Sequence, residues 1–173
     1  MFIQGDVLAF LALLIGSCIS AWSLTLAYGL LFPEKCQVAK TVVTEKPWRC
    51  LGTGALLTLT IGLIGLGLIG QAPNPVLKLI GWVLVLGLFG VSSLGLAGIS
   101  LNAADRLKVM SPDMTPYAAF TRGAGFLIMG CIFPIVGWLA VAPLLWLTAM
   151  GAGVKALRTR TESRVVIQQT ETA

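Results

Sequence analysis

The sequence predicts an all-α, polytopic membrane protein with five transmembrane helices, arranged as a leading helix followed by two helical hairpins. Three observations predict this fold: an apolar composition, apolar runs of membrane-spanning length, and basic residues that cluster beside these runs. Of the 173 residues, 57% are hydrophobic and 11% are charged, whereas water-soluble domains carry about 45–50% apolar and about 25% charged residues. The chain is therefore expected to fold in lipid, where every backbone polar group needs a partner inside the protein.

The first span is predicted from the apolar run 7–32, which ends at Pro33. This run is longer than the core of a signal peptide, and no cleavage site of the small-x-small kind leads into a polar chain. We therefore expect it to remain as the leading helix. The charged segment 33–50 that follows is the first predicted loop.

The first predicted hairpin consists of spans 51–70 and 77–101, separated by "QAPNP". Pro73 and Pro75 lack the amide hydrogen that a continuing helix needs, and each disfavours helical geometry in the residue before it. These two prolines are the predicted turn. A second polar loop, "NAADRLKVMSPDMTP", follows the hairpin.

The last apolar tract, 117–157, has 41 residues, about twice the roughly 20 that a span needs. The stretch "CIFPIVGW" interrupts it, with Pro134 and Gly137 three residues apart and Trp138 next to them. Tryptophan is enriched at the level of the lipid headgroups. We therefore predict a second hairpin turn at Pro134 and Gly137.

This turn gives the spans 117–133 and 138–157 and leaves a tail, 158–173, that begins basic, becomes polar and is expected to be disordered. Residues 1–157 would then form a single transmembrane domain. A re-entrant final hairpin, which enters the membrane without fully crossing it, is the alternative. Both arrangements put the tail on the same side.

The basic residues give an independent prediction of topology. With five spans, 11 of the 12 lysines and arginines lie on one side of the membrane, and only Lys78 lies near the other. The positive-inside rule then puts the N-terminus outside and the C-terminus inside. The net charge of +5 is accordingly attributed to topology and lipid contact, and no nucleic-acid partner is expected.

Small residues spaced four apart predict where the helices pack. Helices in lipid gain no hydrophobic energy by meeting, so they associate where small side chains let the backbones approach. The predicted packing positions are Gly54, Thr58, Gly62, Gly87, Gly95, Ala119, Gly123, Ala149 and Gly153. Most such contacts join helices of one chain, but this many seams leaves some for another subunit or a second copy.

Segments 81–101 and 137–157 align without a gap: each begins with Gly-Trp and has a cluster of small residues near its end. The likeness indicates either a parallel hairpin repeat or chance similarity between glycine-rich helices. The tract 122–157 also resembles Pro/Gly-turn membrane hairpins of bactofilin-associated and small uncharacterised bacterial proteins, including cyanobacterial ones. The resemblance implies a bacterial plasma membrane or thylakoid membrane and no catalytic residue.

Few side chains of this sequence can carry out chemistry. The histidine count is 0, which removes His-ligated haem, the common zinc sites and histidine general bases. All acidic residues lie in predicted loops or termini, so no carboxylate pair is placed at membrane depth. We expect a protein that is not an enzyme, binds no metal and requires no cofactor, although a bound lipid or pigment is compatible with its spans.

The leading functional expectation is an accessory, scaffold or assembly factor that packs against other membrane subunits, for example in a photosynthetic or other large membrane complex. The main alternative is a small transporter or channel for a neutral or lipid-like substrate, and a membrane anchor is a third hypothesis. Contact with anionic lipid or with a partner is predicted at the basic cluster of Lys155, Arg158, Arg160 and Arg164.

Overall fold

A computed structural model of the chain describes residues 2–71, 74–133 and 135–159, with side chains from Val7 onwards. Within these residues all regular secondary structure is helical, and there are six α-helices. They are α1 (Phe2–Leu31), α2 (Pro33–Glu45), α3 (Pro47–Gln71), α4 (Pro75–Met110), α5 (Pro116–Ile132) and α6 (Ala142–Arg158), with a π-helical turn, Gly137–Val141, before α6.

Prolines begin most of these helices. The first residues of α2, α3, α4 and α5 are Pro33, Pro47, Pro75 and Pro116. The first helical position tolerates proline because its amide hydrogen would have no intrahelical partner, and the fixed φ angle suits a helix. Asn74 accepts a hydrogen bond from the amide of Val76 at 3.1 Å, and Thr115 accepts one from the amide of Ala118 at 3.3 Å. Pro33 and Pro75, which were predicted to interrupt the apolar runs, are therefore the first residues of helices.

Four segments are long and apolar enough to cross a membrane: Val7–Leu31, Pro47–Gln71, Pro75–Met110 and Gly137–Arg158. They correspond to the predicted spans 7–32, 51–70, 77–101 and 138–157. The remaining predicted span, 117–133, corresponds to α5, which has 17 residues. At 1.5 Å per residue α5 is about 26 Å long, somewhat shorter than a hydrocarbon core of roughly 30 Å.

The two predicted polar loops are largely helical. Helix α2 occupies most of the first, and α4 continues to Met110 through much of the second. These two helical extensions pack on each other, since Lys40 forms an ion pair with Asp105 and the Cβ of Ala39 lies against Gly98. Charged residues thus form a compact helical cap at one end of the bundle.

The chain reverses direction sharply within "CIFPIVGW". Helix α5 ends at Ile132, and Phe133 leaves helical geometry with a ψ of 120°. A Cβ atom on Gly137 would lie 2.6 Å from the carbonyl oxygen of Gly130, although seven residues of continuous helix would separate them by about 10 Å. The π-helical turn Gly137–Val141 therefore folds back on the end of α5, whereas α6 itself packs mainly on α3 and α4. Pro134 itself lies outside the described residues.

The first hairpin has a similar contact. A Cβ atom on Gly81 would lie 2.8 Å from the carbonyl oxygen of Gly65 on α3. Gly81 and Gly137 are the glycines of the two aligned Gly-Trp pairs, and each lies against a backbone carbonyl of the preceding helix. The two contacts differ in kind, because α3 and α4 pack on each other whereas α6 packs mainly on α3 and α4. Whether the two segments form a repeat therefore stays a prediction. Of the predicted turn residues, Pro75 is the first residue of α4, and Pro73 lies outside the described residues.

Helix α6 begins irregularly. The turn Gly137–Val141 is π-helical, and the amide of Ala142 donates to the carbonyl oxygen of Gly137. Pro143 follows immediately and cannot donate to the carbonyl of Leu139. Single π-helical turns commonly mark such interruptions in an α-helix.

Small residues fill the interior and large apolar residues cover the outside. The core cluster consists of Cys36, Ala39, Leu94, Ala97, Ala104, Ala119, Phe120, Ala152 and Ala156. Leu13 and Leu139, by contrast, are 73% and 77% exposed. Lipid solvates such side chains as well as a protein core does, whereas small residues allow close backbone packing. This distribution, with the four span-length helices, indicates an integral membrane protein.

Candidate functional site

The tightest packing lies where α6 crosses α3 and α4. Gly54 of α3 lies against the carbonyl oxygen of Leu147, and Gly151 of α6 lies against that of Cys50. On α4, Gly95 meets the carbonyl of Ala149, while Gly153 meets that of Val91. At these crossings any side chain larger than hydrogen would overlap with backbone, so the glycines determine how closely the helices approach.

Some of the other predicted packing positions contact a neighbouring helix and some do not. Ala119 is fully buried, and Gly123 lies 3.0 Å from the carbonyl oxygen of Ser100, measured from the Cβ position. Gly62 and Gly87 do not take part in packing within the described chain, because nothing lies within 4 Å of their Cβ positions.

Thr58, another predicted packing position, is a half-buried residue of α3. Its Oγ1 atom is buried and has no hydrogen-bond partner among the described residues. The hydroxyl therefore loses its hydration without gaining a hydrogen bond, which is an energetic cost.

A groove of about 820 Å³ opens between the end of α2, the start of α3 and the end of α6. We call it the basic groove. Four basic side chains line it, and Glu45 is the one acidic residue among its described lining residues. The basic residues are Lys46, Arg49, Lys155 and Arg158.

Local structure brings these basic residues together. Lys46 is the residue after α2, Arg49 lies in the first turn of α3, and Lys155 and Arg158 lie in the last turn of α6. The pair Lys46 and Arg49 is about a hundred residues from the pair Lys155 and Arg158 in the sequence. The crossing of α3 and α6 brings the two pairs together in space.

Two long side chains reinforce this arrangement. The Nζ atom of Lys155 lies 3.8 Å from the Sγ of Cys50 on α3. The Nζ atom of Lys35, on α2, donates to the carbonyl oxygen of Thr159 at 3.0 Å. The end of α6 is therefore attached to both neighbouring walls of the groove. Arg160 and Arg164 of the predicted basic cluster lie outside the described residues.

A second cavity, of about 500 Å³, lies within the span region between α1, α4, α5 and the start of α6. We call it the crevice. Its walls are mostly apolar, and the rings of Phe89 and Trp146 meet edge to face with centroids 4.8 Å apart. Its polar lining groups are Ser17, Ser20, Ser92, Ser93, Cys18 and Cys131.

At least two crevice hydroxyls already have partners. Ser17 donates to the carbonyl of Leu14, and Ser93 donates to that of Phe89, each at 2.8 Å. A ligand in the crevice would thus meet apolar surface and hydroxyl lone pairs. Neutral or lipid-like molecules suit such a lining better than ions do.

In the part of the chain that the structure describes, no group of three or more His, Cys, Asp or Glu side chains is arranged to hold a metal ion. Cys36 of α2 is fully buried, and its thiol donates to the carbonyl of Tyr28 at 3.5 Å. Burial raises the pKa of the Cys36 thiol to about 11. The thiolate, which is the nucleophilic form, is therefore scarce at neutral pH.

No family model, no curated protein and no solved structure matches this chain. The resemblance of segment 122–157 to Pro/Gly-turn hairpins therefore stays a prediction.

Sequence reasoning identified the α6 half of the basic groove and missed the α3 half. It treated Lys46 and Arg49 as topology signals in a loop. Pro47 could have revealed the α3 half, because proline favours the first position of a helix. It indicated that Arg49 would stand in the first turn of a helix instead of in a loop.

Proposed function

We propose that this chain is a non-enzymatic accessory, scaffold or assembly factor that packs against other membrane subunits or against a second copy of itself. The observation that carries the proposal is the exposure of α1. None of the residues in its most apolar window is buried, and nothing lies within 4 Å of a Cβ atom on Gly16. A helix that exposes a small-residue position can be approached closely by a partner helix.

Gly62 of α3 and Gly87 of α4 are open as well, but the most apolar windows of the other three span-length segments are partly buried, at 11%, 28% and 33%, and that of α1 is not. Gly54, Gly95, Gly151 and Gly153 are all engaged inside the chain. Helix α1 is attached more lightly, for example by Trp22, whose Nε1 donates to the carbonyl of Thr121 at 3.2 Å. We infer that α1 offers its remaining face to a partner subunit.

The proposed membrane arrangement has five spans, with the N-terminus outside and the C-terminus inside, in a bacterial plasma membrane or a thylakoid membrane. In this arrangement α5 is the fourth span in chain order, and the turn after it extends its reach. Support comes from the distribution of charge, because Lys40, Lys155 and Arg158 lie near one end of the bundle, whereas Lys78 lies at the start of α4. The positive-inside rule places the basic end in the cytoplasm or its equivalent. A label at Ala173 found on the same side as Met1 would contradict this topology.

The test of partner packing compares two glycines that both have open space around them. Gly16→Leu adds bulk to α1, and Gly87→Leu makes the same change on α4, where the Cβ position is also open. We expect Gly16→Leu to reduce co-purification of a membrane subunit, or self-association, in mild detergent, and Gly87→Leu to preserve it. A clean monomer without a co-purifying protein under several conditions would remove support for the proposal.

The second candidate function is transport of, or a channel for, a neutral or lipid-like substrate, and the crevice is the observation that favours it. Ala21 lines the crevice, whereas Ala12 lies exposed on α1. We expect Ala21→Leu to lower solute flux in reconstituted vesicles and Ala12→Leu to leave it unchanged. Flux no greater than that of empty vesicles, across several solute classes, would count against transport. Retention of a lipid or pigment in the crevice without flux would fit the accessory role.

A further inference from the structure

We propose that the basic groove binds the headgroup of an anionic phospholipid with two phosphates, such as a diphosphatidylglycerol. The inference rests on the proposed function only in that it needs the basic end of the bundle to lie at a membrane surface. It adds a specific ligand site that is independent of α1 and of any partner packed there.

Charge is the first argument. The groove gathers four positive side chains and one negative side chain, Glu45, from three helices. The ion pair that the structure describes is Lys40 with Asp105, and neither of these residues lines the groove. The lining side chains therefore carry a net charge of +3 that no described ion pair neutralises, which is enough to balance the charges of two phosphates.

The shape of the groove is the second argument. Its volume of about 820 Å³ is within the usual range of small-molecule sites, about 300–1,000 Å³, and is several times the size of a single phosphate group. Basic pockets between transmembrane helices on the inner side are typical sites for headgroups of this kind.

The polarity gradient along α3 distinguishes a lipid from a soluble anion. From Arg49 the groove continues past Gly52 to Leu56, which is 65% exposed. Trp48, which precedes Arg49 in the chain and does not line the groove, is 82% exposed, and tryptophan prefers the level of the headgroups. A phospholipid would use both parts, with its phosphates on the basic residues and an acyl chain along α3. A soluble phosphate would use the basic part alone.

The walls of the groove are held in place by contacts within the protein. Gly151 lies against the carbonyl of Cys50, and the Nζ of Lys155 lies near the Sγ of the same residue. The α3 and α6 walls are thus joined by backbone packing at the base of the groove. The site is preorganised, and preorganisation lowers the cost of binding.

The experiment uses the full chain, purified in mild detergent and titrated with diphosphatidylglycerol, phosphatidylglycerol or phosphatidylcholine, and counts bound lipids by native mass spectrometry. The test variant is Arg49→Gln/Arg158→Gln. The matched control is Arg106→Gln/Lys108→Gln, which removes the same charge from the end of α4, outside the groove. Arg49→Lys/Arg158→Lys keeps the charge and checks that folding is intact.

We expect diphosphatidylglycerol to bind in preference to the other two lipids. The test variant should weaken its binding about 30-fold, since each basic residue near an anionic surface contributes roughly fivefold, and the control should change it little. Equal losses in the test and control variants would indicate diffuse attraction and overturn the proposal. Equal binding of all three lipids would overturn it as well.

A second pair of variants tests the groove without changing charge. Nothing lies within 4 Å of the Cβ positions of Gly52, inside the groove, and of Gly87, outside it. Gly52→Leu should weaken lipid binding severalfold by filling the groove, and Gly87→Leu should not.

Competition with pyrophosphate distinguishes a phospholipid from a soluble phosphate compound as the ligand of the groove. Failure of pyrophosphate to compete at concentrations well above that of the lipid supports a phospholipid. Competition at equal concentrations would assign the site to a soluble anion and overturn the proposal. Failure of partner packing in the Gly16→Leu test would leave all of these outcomes unaffected, so the two proposals can fail separately.

Discussion

Gly151 of α6 lies directly against the carbonyl oxygen of Cys50 on α3. The contact joins two residues about a hundred positions apart and holds together two walls of the basic groove. Because Lys155 is one helical turn beyond Gly151, close packing at the glycine also brings a positive charge to the start of α3. Helix packing and ligand chemistry therefore depend on the same crossing.

Gly151→Ala should destabilise the protein. Its Cβ atom would overlap with the backbone of α3, which has no flexible end that can move aside, and overpacking of this kind costs about 1–3 kcal/mol. The measurement is the free energy of unfolding in detergent. Gly87→Ala is the control, because its Cβ would meet nothing, and we expect it to stabilise its helix by up to about 1 kcal/mol. Equal stability of the two variants would contradict the assigned crossing.

Thr58→Val should raise the free energy of unfolding. The Oγ1 atom of Thr58 is buried without a described partner, and an unsatisfied buried polar group costs about 1–3 kcal/mol, which the nearly isosteric valine avoids. Thr60→Val is the control, because the Thr60 hydroxyl donates to the carbonyl of Leu56 at 2.8 Å on the exposed side. A loss of stability in Thr58→Val greater than that in the control would show that the hydroxyl has a partner after all.

Cys36 should resist alkylation and stabilise the fold only below alkaline pH. Burial raises the pKa of its thiol from 9.0 to about 11 in the folded state. The folded value is the higher one, so the stabilisation is fully present below about pH 9 and is lost as the pH rises through about 11. We expect the stability of the native protein to fall more steeply over this interval than that of Cys36→Ala. Identical pH profiles would mean that the thiol is not buried as described.

The ion pair between Lys40 and Asp105 should contribute little to stability. Their side chains are 24% and 54% exposed, and such pairs are typically worth about 0.2–1 kcal/mol. A double-mutant cycle with Lys40→Gln and Asp105→Asn should give a coupling energy within this range. The coupling should shrink as salt is added, because ions screen exposed charges. A larger coupling that is insensitive to salt would mean that α2 packs more deeply in the membrane surface than proposed.

Much of the architecture was predictable from the residues. Apolar composition indicates lipid as the solvent, and four of the five predicted spans correspond to helices of membrane-spanning length. Pro75 marks the start of a helix because proline acts locally, through its missing amide hydrogen and fixed φ angle. The back-folding at "CIFPIVGW" likewise follows from a tract about twice as long as a bilayer requires. Composition, length and proline carry this information without reference to any other part of the chain.

The helical state of the charged segments was less predictable. Helix α2 and the last turns of α4 were assigned to loops because they are polar. Helix α2 packs on α4, with Ala39 against Gly98 and Lys40 beside Asp105, so its folding depends on a contact with a distant part of the chain. Polarity predicted that these segments lie outside the hydrocarbon, and it carried no information on whether they fold.

Tertiary structure alone decides which faces of the helices meet. A spanning helix in lipid is apolar on every side, so its pattern does not distinguish the packed face from the exposed one. Gly54 and Gly62 lie on one helix at the spacing of a seam, yet the first contacts α6 and the second contacts nothing. The same holds for charge: the sequence indicates that Arg49 and Lys155 share a side of the membrane. Arg49 and Lys155 form one site only because α3 and α6 cross. That crossing depends on close backbone contact between residues far apart in the chain.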